Sequence, residues 1–455
     1  MPRFFLRAAL LLVLASPTVL AQDTRNVAEP AAPPACAKLD AHLTTRDGAI
    51  AEADETKLDT QRIQQAIDRC PKGQAVVLER QQANNAFLSG PFQLREAVTL
   101  IVDKGVTLFA SRDSSLFETS QRSCGVVNDA PSGCKPLIAV DQAPSAAIMG
   151  DGTIDGRGGA KLLGKNVTWW DLAEQARSGG RQQVPRLVVA NHSSNFTLYR
   201  ITLKNSPNFH VVYNGGDGFT VWGIKIDTPG TGARNTDGID PGSGAKNITI
   251  THSFISTGDD DVAIKGGQGG VTNMTVVHNH FYRGHGMSIG SETYGGVSAI
   301  RVTDLSIDGA DNGIRIKSNG SRGGLVHDVV YDDVCIRNSP DPIILDTAYA
   351  ASGTVRGNMP PAFRDITLHD VRVSGGGRIT FNGYDQDHRV AAILDGVLLE
   401  GSAPVKYVIE HADVRLGPGP VNLDIPRGTD STLEGKPTAG SLPACAEKFV
   451  PFPRP

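Results

Sequence analysis

Asn195-Phe-Thr-Leu, Gly218-Phe-Thr-Val, Asn247-Ile-Thr-Ile, Asn273-Met-Thr-Val, Asp304-Leu-Ser-Ile, Asp328-Val-Val-Tyr and Asp365-Ile-Thr-Leu are versions of one four-residue pattern. A turn-forming residue comes first, and apolar residues follow at the second and fourth positions. Successive starts are separated by 23, 29, 26, 31, 24 and 37 residues. The units lack the 3.6-residue period of a helical solenoid. They are also too far apart for sandwich strands, which recur at about 8–12 residues. A period in the twenties fits one coil of a β-solenoid, with several short strands per coil and insertions confined to the turns. The pattern therefore predicts an all-β chain, a single-domain right-handed parallel β-helix. Its coils pair through parallel strands, and its inward positions stack Val, Ile and Leu.

The rest of the 455-residue chain is consistent with this. Hydrophobic residues make up 40% and charged residues 20%, enough apolar material for a large core and too little charge for a disordered chain. Aromatics are 6%, so that core rests on aliphatic side chains. An open solenoid end needs a cover. Asp59-TQRIQQAIDRC supplies one: Ile63, Ala66, Ile67 and Cys70 share a helical face, and Asp59 is placed to cap its start. Trp169–Arg177 is a second candidate helix, whose Trp169 and Trp170 are expected to pack rather than to stack on a ligand.

Arg3 and Arg7, the apolar run Ala8–Ala15 and Val19-Leu20-Ala21 read as a signal peptide cleaved near Ala21. Residues 22–35 read as a flexible leader, and residues 36–455 as the β-helix domain. The expected location is extracellular. The net charge of −4 becomes −6 without the leader peptide, which argues against a nucleic-acid partner. The single long apolar run is too short to span a bilayer, so no membrane partner is expected. A monomer is expected. Export makes disulfides among the six cysteines plausible. Cys124 and Cys134 flank a short loop and are the safest pair. Cys36 with Cys70 would staple the cap. Cys335 either ties the tail through Cys445 or is a buried thiol.

Four segments concentrate polar groups: Arg234-NTDGID, Thr257-GDDDVAIK, Arg283-GHGMSIGSE and Gly313-IRIKSNG. Asp237 to Asp259 is 22 residues, Asp259 to His285 is 26, and His285 to Arg315 is 30, each about one coil. Residues one coil apart stack at about 4.8 Å. Asp237, Asp259, Asp260, His285, Arg315 and Lys317 should then line one exterior column. Crowded carboxylates cannot all ionise readily, so at least one pKa should rise, as general acid–base hydrolysis requires. Arg315 and Lys317 would suit an anionic group on a substrate. A calcium site is disfavoured by those cations one coil away.

At these residues the chain resembles the polygalacturonases, pectin-degrading glycoside hydrolases whose motifs NTDG-x-D, G-D-D, G-H-G and R-I-K occur here at Asn235–Asp240, Gly258–Asp260, Gly284–Gly286 and Arg315–Lys317. FLSGPFQL from Phe87, NSPNFHV from Asn205 and PIILDTAY from Pro342 extend the likeness to secreted bacterial endo-polygalacturonases. The resemblance implies a right-handed parallel β-helix that hydrolyses α-1,4 bonds of de-esterified homogalacturonan with inversion and without a cofactor or metal. It implies that Asp259 is the general acid, that Asp237 and Asp260 activate water, and that His285 holds the acid's protonation state. Arg315 and Lys317 would bind a galacturonate carboxylate and Tyr349 the same sugar, with Asn235 and His210 as further cleft residues. Asp261 departs from the pattern: on a strand it points away from Asp260, and burial would demand a partner, such as a salt bridge. The rival readings are an exo-acting enzyme, a calcium-dependent pectate lyase and a non-enzymatic β-helical carbohydrate-binding protein.

Overall fold

The computed structural model describes residues 22–350 and 355–453; the expected signal peptide lies outside them. Parallel strands dominate, gathered into a twenty-stranded sheet and an eleven-stranded sheet that stack coil on coil as a β-helix. In the eleven-stranded sheet Ile239 pairs with Val262, Val262 with Met287, Met287 with Ile314, Ile314 with Ile343 and Ile343 with Ile379. All six side chains are fully buried, one line of the aliphatic core. Phe196 and Phe219 form a second line, their rings stacked at 5.5 Å.

The seven repeat starts share one backbone property. Asn195, Gly218, Asn247, Asn273, Asp304, Asp328 and Asp365 all have φ between 48° and 96°. Asn, Asp and Gly tolerate this left-handed conformation, and other residues resist it. The pattern is thus the signature of a sharp bend that aims the next strand into the sheet. Six of the seven stack in one column. Asp304 does not: the ladder sets Asn273 opposite Ala299 and Ala299 opposite Asp328. Asp304 belongs to a second bend, one strand later, in a column with His278 and Asp333. With Ala299 restored, the irregular spacings of 31 and 24 become 26 and 29.

The capping helix spans Thr60–Arg69 and buries Ile63 and Ile67. Asp59 does not cap it through its side chain. Its carboxylate instead takes Arg62 at 2.5 Å and the Leu88 amide at 3.0 Å, tying helix to sheet. Trp169–Gln175 is helical, with Trp169 buried edge-on against Phe117. The Trp170 indole donates to the Ser206 carbonyl, so both tryptophans pack.

Residues 22–34, expected to be flexible, are instead pinned along the outside of the larger sheet. Asp23 is buried; its amide donates to Thr275 Oγ1, and its carboxylate accepts from Thr249 Oγ1 and from Arg25. Arg25 reaches the Phe219 carbonyl, and Glu29 accepts from the Tyr199 hydroxyl. The segment's composition, rich in Ala and Pro, is that of a linker; three charged residues with matched partners, Asp23, Arg25 and Glu29, fix it.

All three disulfides form: Cys36–Cys70, Cys124–Cys134 and Cys335–Cys445. The last draws the C-terminal tail onto the body, where buried Arg372 meets Asp333 and the Pro443 carbonyl. A cross-link stabilises mainly by restricting the unfolded chain, and more so for longer loops. Cys335 and Cys445 are separated by 110 residues, Cys124 and Cys134 by 10. Replacing the first pair with Ala is therefore expected to cost about 4–5 kcal/mol and the second about 3 kcal/mol or less on the loop-closure scale. Urea unfolding of the two double variants checks the ranking; a larger loss from the shorter loop would contradict it.

Candidate active site

The parallel ladder of the eleven-stranded sheet carries its register into the turns that precede the strands. Backbone bonds from Leu187 to Phe209, His210 to Asp237 and Gly238 to Asp260 align Arg186, Phe209, Asp237 and Asp260. His285 follows in the same column. Arg315 and Lys317 sit further along their own strand, with Arg315 opposite Ser288. They are not in the column, as the spacing suggested, but beside it, and their side chains reach back to Asp260.

That contact organises the site. Asp260 is 1% exposed. One oxygen takes Arg315 Nη2 and the Ser288 hydroxyl, and the other takes Lys317 Nζ at 2.8 Å. Arg315 is fixed in turn by Ser288 at 2.9 Å and Asn312 Oδ1 at 2.5 Å. Burial pushes the Asp260 carboxyl up, but the charges of Arg315, Lys317 and Lys265 outweigh it and hold the group far below the usual carboxylate range. Burial lowers Lys317, with Asp260 opposing.

Asp237 experiences the opposite balance. Burial first, then the charge of Asp259, raise it to about 7, against Lys265 at 3.3 Å from Oδ2. Among the described residues its Oδ1 is buried without a hydrogen-bond partner, as are both oxygens of Asp240. Asp240 and Asp261 are also pushed well above the usual range, mainly by burial. Asp259 lies against His285, with Oδ1 at 3.1 Å from Nδ1. Burial raises Asp259, but that hydrogen bond and neighbouring cations leave it lowered, while His285 is raised despite burial. The free site thus biases Asp237 towards its protonated form and the His285–Asp259 pair towards imidazolium and carboxylate.

Asn235 reaches towards Asp259 Oδ2, at 3.5 Å. The Lys317 ammonium lies over the Tyr349 ring, 5.2 Å from its centroid. His210, expected in the cleft, is fully buried beneath it. Its Nδ1–H donates to the Asp237 carbonyl at 3.0 Å, and Nε2 faces the Thr228 hydroxyl at 2.8 Å. Burial lowers it to about 4, so the ring is neutral. It fixes the Asp237 peptide from beneath the cleft. Asp261 has no salt bridge among the described residues; the Thr257 hydroxyl and the Gly286 amide satisfy its carboxyl. The glycines around His285 serve the backbone rather than a ligand. Gly284 and Gly286 have φ of 64° and 65°, and a Cβ would meet the Asp259 and Asn312 carbonyls at 2.4 and 2.2 Å.

Lys265, Ser288, Asn312 and Asp240 contribute to the site without having been singled out. Lys265 had a legible signal: Val262 and Ile264 point inward, so alternation places Lys265 on the outer face with the acids. Ser288 and Asn312 have no comparable signal, since their importance depends on the angle at which Arg315 crosses the sheet. Asp259, Asp260 and His285 bring ligand atoms within 4.8 Å of one another, a spacing that could hold a cation. Arg315 and Lys317 already occupy both Asp260 oxygens, which opposes a divalent ion there.

A sequence profile of the glycosyl hydrolases family 28 matches residues 77–415. The chain belongs to that family. Family 28 relatives include an endo-polygalacturonase of Pectobacterium carotovorum subsp. carotovorum, 45% identical over 86% of this chain and 92% of the relative. A polygalacturonase of Ralstonia nicotianae is 39% identical over 94% of this chain and 92% of its own. The solved polygalacturonase from Erwinia carotovora ssp. carotovora superposes with a TM-score of 0.79 at 42% identity, covering 86% of this chain and all of that one.

Asp237 also links the site to stability. Its folded-state pKa, about 7, exceeds the ordinary value of 3.8. The stability it contributes is full below the ordinary value and is lost as pH rises through the folded one. Asn mimics the protonated form without titrating. Asp237→Asn is therefore expected to raise the melting temperature relative to wild type more at pH 7.5 than at pH 4.5. Thermal unfolding at both values checks this, and an increment independent of pH would contradict it.

Proposed function

We propose that this family 28 hydrolase is a secreted endo-polygalacturonase, cleaving α-1,4-galacturonosidic bonds within de-esterified pectin by general acid–base catalysis. The observation that carries the reading is the split environment of stacked carboxylates: Asp260 held ionised by cations, Asp237 held protonated by burial, and Asp259 paired with a protonatable histidine. Groups whose environments push their pKa values apart mark acid and base roles. Similarity to endo-polygalacturonases supports the substrate, and three disulfides suit an oxidising, extracellular setting.

In this mechanism Asp259 protonates the glycosidic oxygen. A bound polygalacturonate excludes water and brings its own carboxylates, and both effects raise Asp259. The proton of the His285–Asp259 pair then passes to the carboxyl and on to the leaving oxygen; after turnover Asp260 releases the proton taken from water to solvent, and solvent reprotonates the pair. Asp260, with Asp237 beside it, takes the proton of the attacking water. Lys317 has donors to spare beyond its bond to Asp260 and faces Tyr349, so it grips the sugar carboxylate at the cleavage point. Arg315 has all three guanidinium nitrogens engaged and acts by fixing Asp260. Direct attack of water gives inversion.

Asp259→Asn is expected to lower kcat by at least about 10²-fold, the scale of general acid catalysis, while the fold is kept. Early products followed by proton magnetic resonance should have β-configured reducing ends; α products or a trapped glycosyl-enzyme would overturn direct displacement. Lys317→Ala should weaken substrate binding roughly ten- to a hundredfold, as expected for a lost charge-assisted contact, and should blunt the preference for free over methyl-esterified pectin. Equal wild-type rates on both substrates would contradict the carboxylate contact. Activity that chelator abolishes and calcium restores, with an ultraviolet-absorbing unsaturated product, would point to a lyase.

A further inference from the structure

The column that holds Asp237, Asp260 and His285 continues towards the N-terminal coils, where its next members are Phe209 and Arg186. Arg186 therefore lies two coils before Asp237, about 10 Å along the solenoid axis at the usual strand spacing. Here a pocket of about 550 Å³ opens, and Arg181, Arg186, Arg234, Asn208 and Asn214 are among the residues lining it. Among the described residues none of these three arginines makes a carboxylate pair, whereas 14 of the 26 described arginines do. Arg234 is held only by the Ala173 carbonyl, at 3.0 Å. Arg186 is exposed, its guanidinium 5.0 Å from the centre of the half-buried Phe209 ring, and Lys265 Nζ lies 5.7 Å from the same centre.

We infer that Arg186 is a specificity residue. It binds the free carboxylate of a galacturonate unit lying on the N-terminal side of the bond to be cleaved, and Phe209 supports both cation and sugar. A guanidinium resting on an aromatic ring keeps its N–H edge for a planar carboxylate, which it grips with two parallel bonds. Lys317 and Arg186 then flank the carboxylate cluster on its two sides, so a polyanion is held at both ends of the reacting bond. Arg181 and Arg234 add positive field along the same stretch. This inference rests on the polygalacturonase reading for the identity of the anion, and binding can be measured apart from cleavage.

The test is titration calorimetry of an oligogalacturonide long enough to span the cleft, with Asp259→Asn as the background, with and without Arg186→Gln. The expected result is a loss of affinity of roughly ten- to a hundredfold, the scale of a charge-assisted contact, recovered in part by Arg186→Lys. In otherwise wild-type enzyme, Arg186→Gln should raise KM with little change in kcat. It should also abolish discrimination against an oligomer esterified only at the sugar that faces Arg186. Unchanged affinity, or a loss that is the same for esterified and free oligomers, would overturn the inference even where cleavage proceeds normally. Arg186-dependent binding without cleavage would leave the subsite standing and sink the hydrolase reading. A matched fall in melting temperature and kcat would identify Arg186 as a packing residue only and overturn the inference as well.

Discussion

Everything in this protein depends on the hydrogen bonding of each coil to the next. Parallel pairing fixes two strands to within one residue, and a slip by one would turn every inward side chain outward. Because the ladder holds from coil to coil, it positions the core line from Ile239 to Ile379 and, two residues before it, the line of Asp237, Asp260 and His285. The same register that satisfies the backbone brings together carboxylates that lie more than twenty residues apart in the chain. The site costs no special loop architecture. It arises where Asp237, Asp260 and His285 occupy the turn before the strand in successive coils, and Arg315 and Lys317 reach back to it from the strand.

Such crowding is expensive, and the protein meets the cost in two ways. Asp260 is kept charged in a buried place by Arg315 and Lys317, with Ser288 and Asn312 completing the hydrogen bonds. Removing one partner of a buried pair is strongly destabilising, because the other charge is left without compensation. Asp237, Asp240 and Asp261 are instead raised towards the neutral form. A largely buried group of acids thereby becomes one fixed anion, Asp260, among groups that can accept or release protons. His210 underlies this arrangement without titrating in it, its neutral ring holding the Asp237 peptide from below.

The solenoid was legible because its sharpest backbone requirement falls on residue types that advertise it: Asn, Asp and Gly at the left-handed bend. Where the bend carries Ala299 the signal is absent, and Asp304 of the second bend mimics it. The acids and cations of the site were legible through coil spacing and motif. What spacing could not give was sideways reach. It set Arg315 and Lys317 in the column with the acids, although they stand beside it, and it gave no reason to look at Ser288. Protonation was equally hidden, since it depends on which acids the coils bury and which cation reaches which oxygen. The family resemblance suggested His210 as a cleft residue; its depth is a property of the turn, not of the residue type.

The N-terminal strap, finally, has a bearing on how the chain is assembled. Asp23 and Arg25 find their partners at Phe219, Thr249 and Thr275, residues that emerge from synthesis some two hundred positions later. The surface on which the strap lies does not exist until those coils have stacked. The first part of the described chain to be made is therefore among the last to reach its place. It acts as a fastening laid across finished coils, and a strap that is bound is a record that the solenoid beneath it has been completed in register.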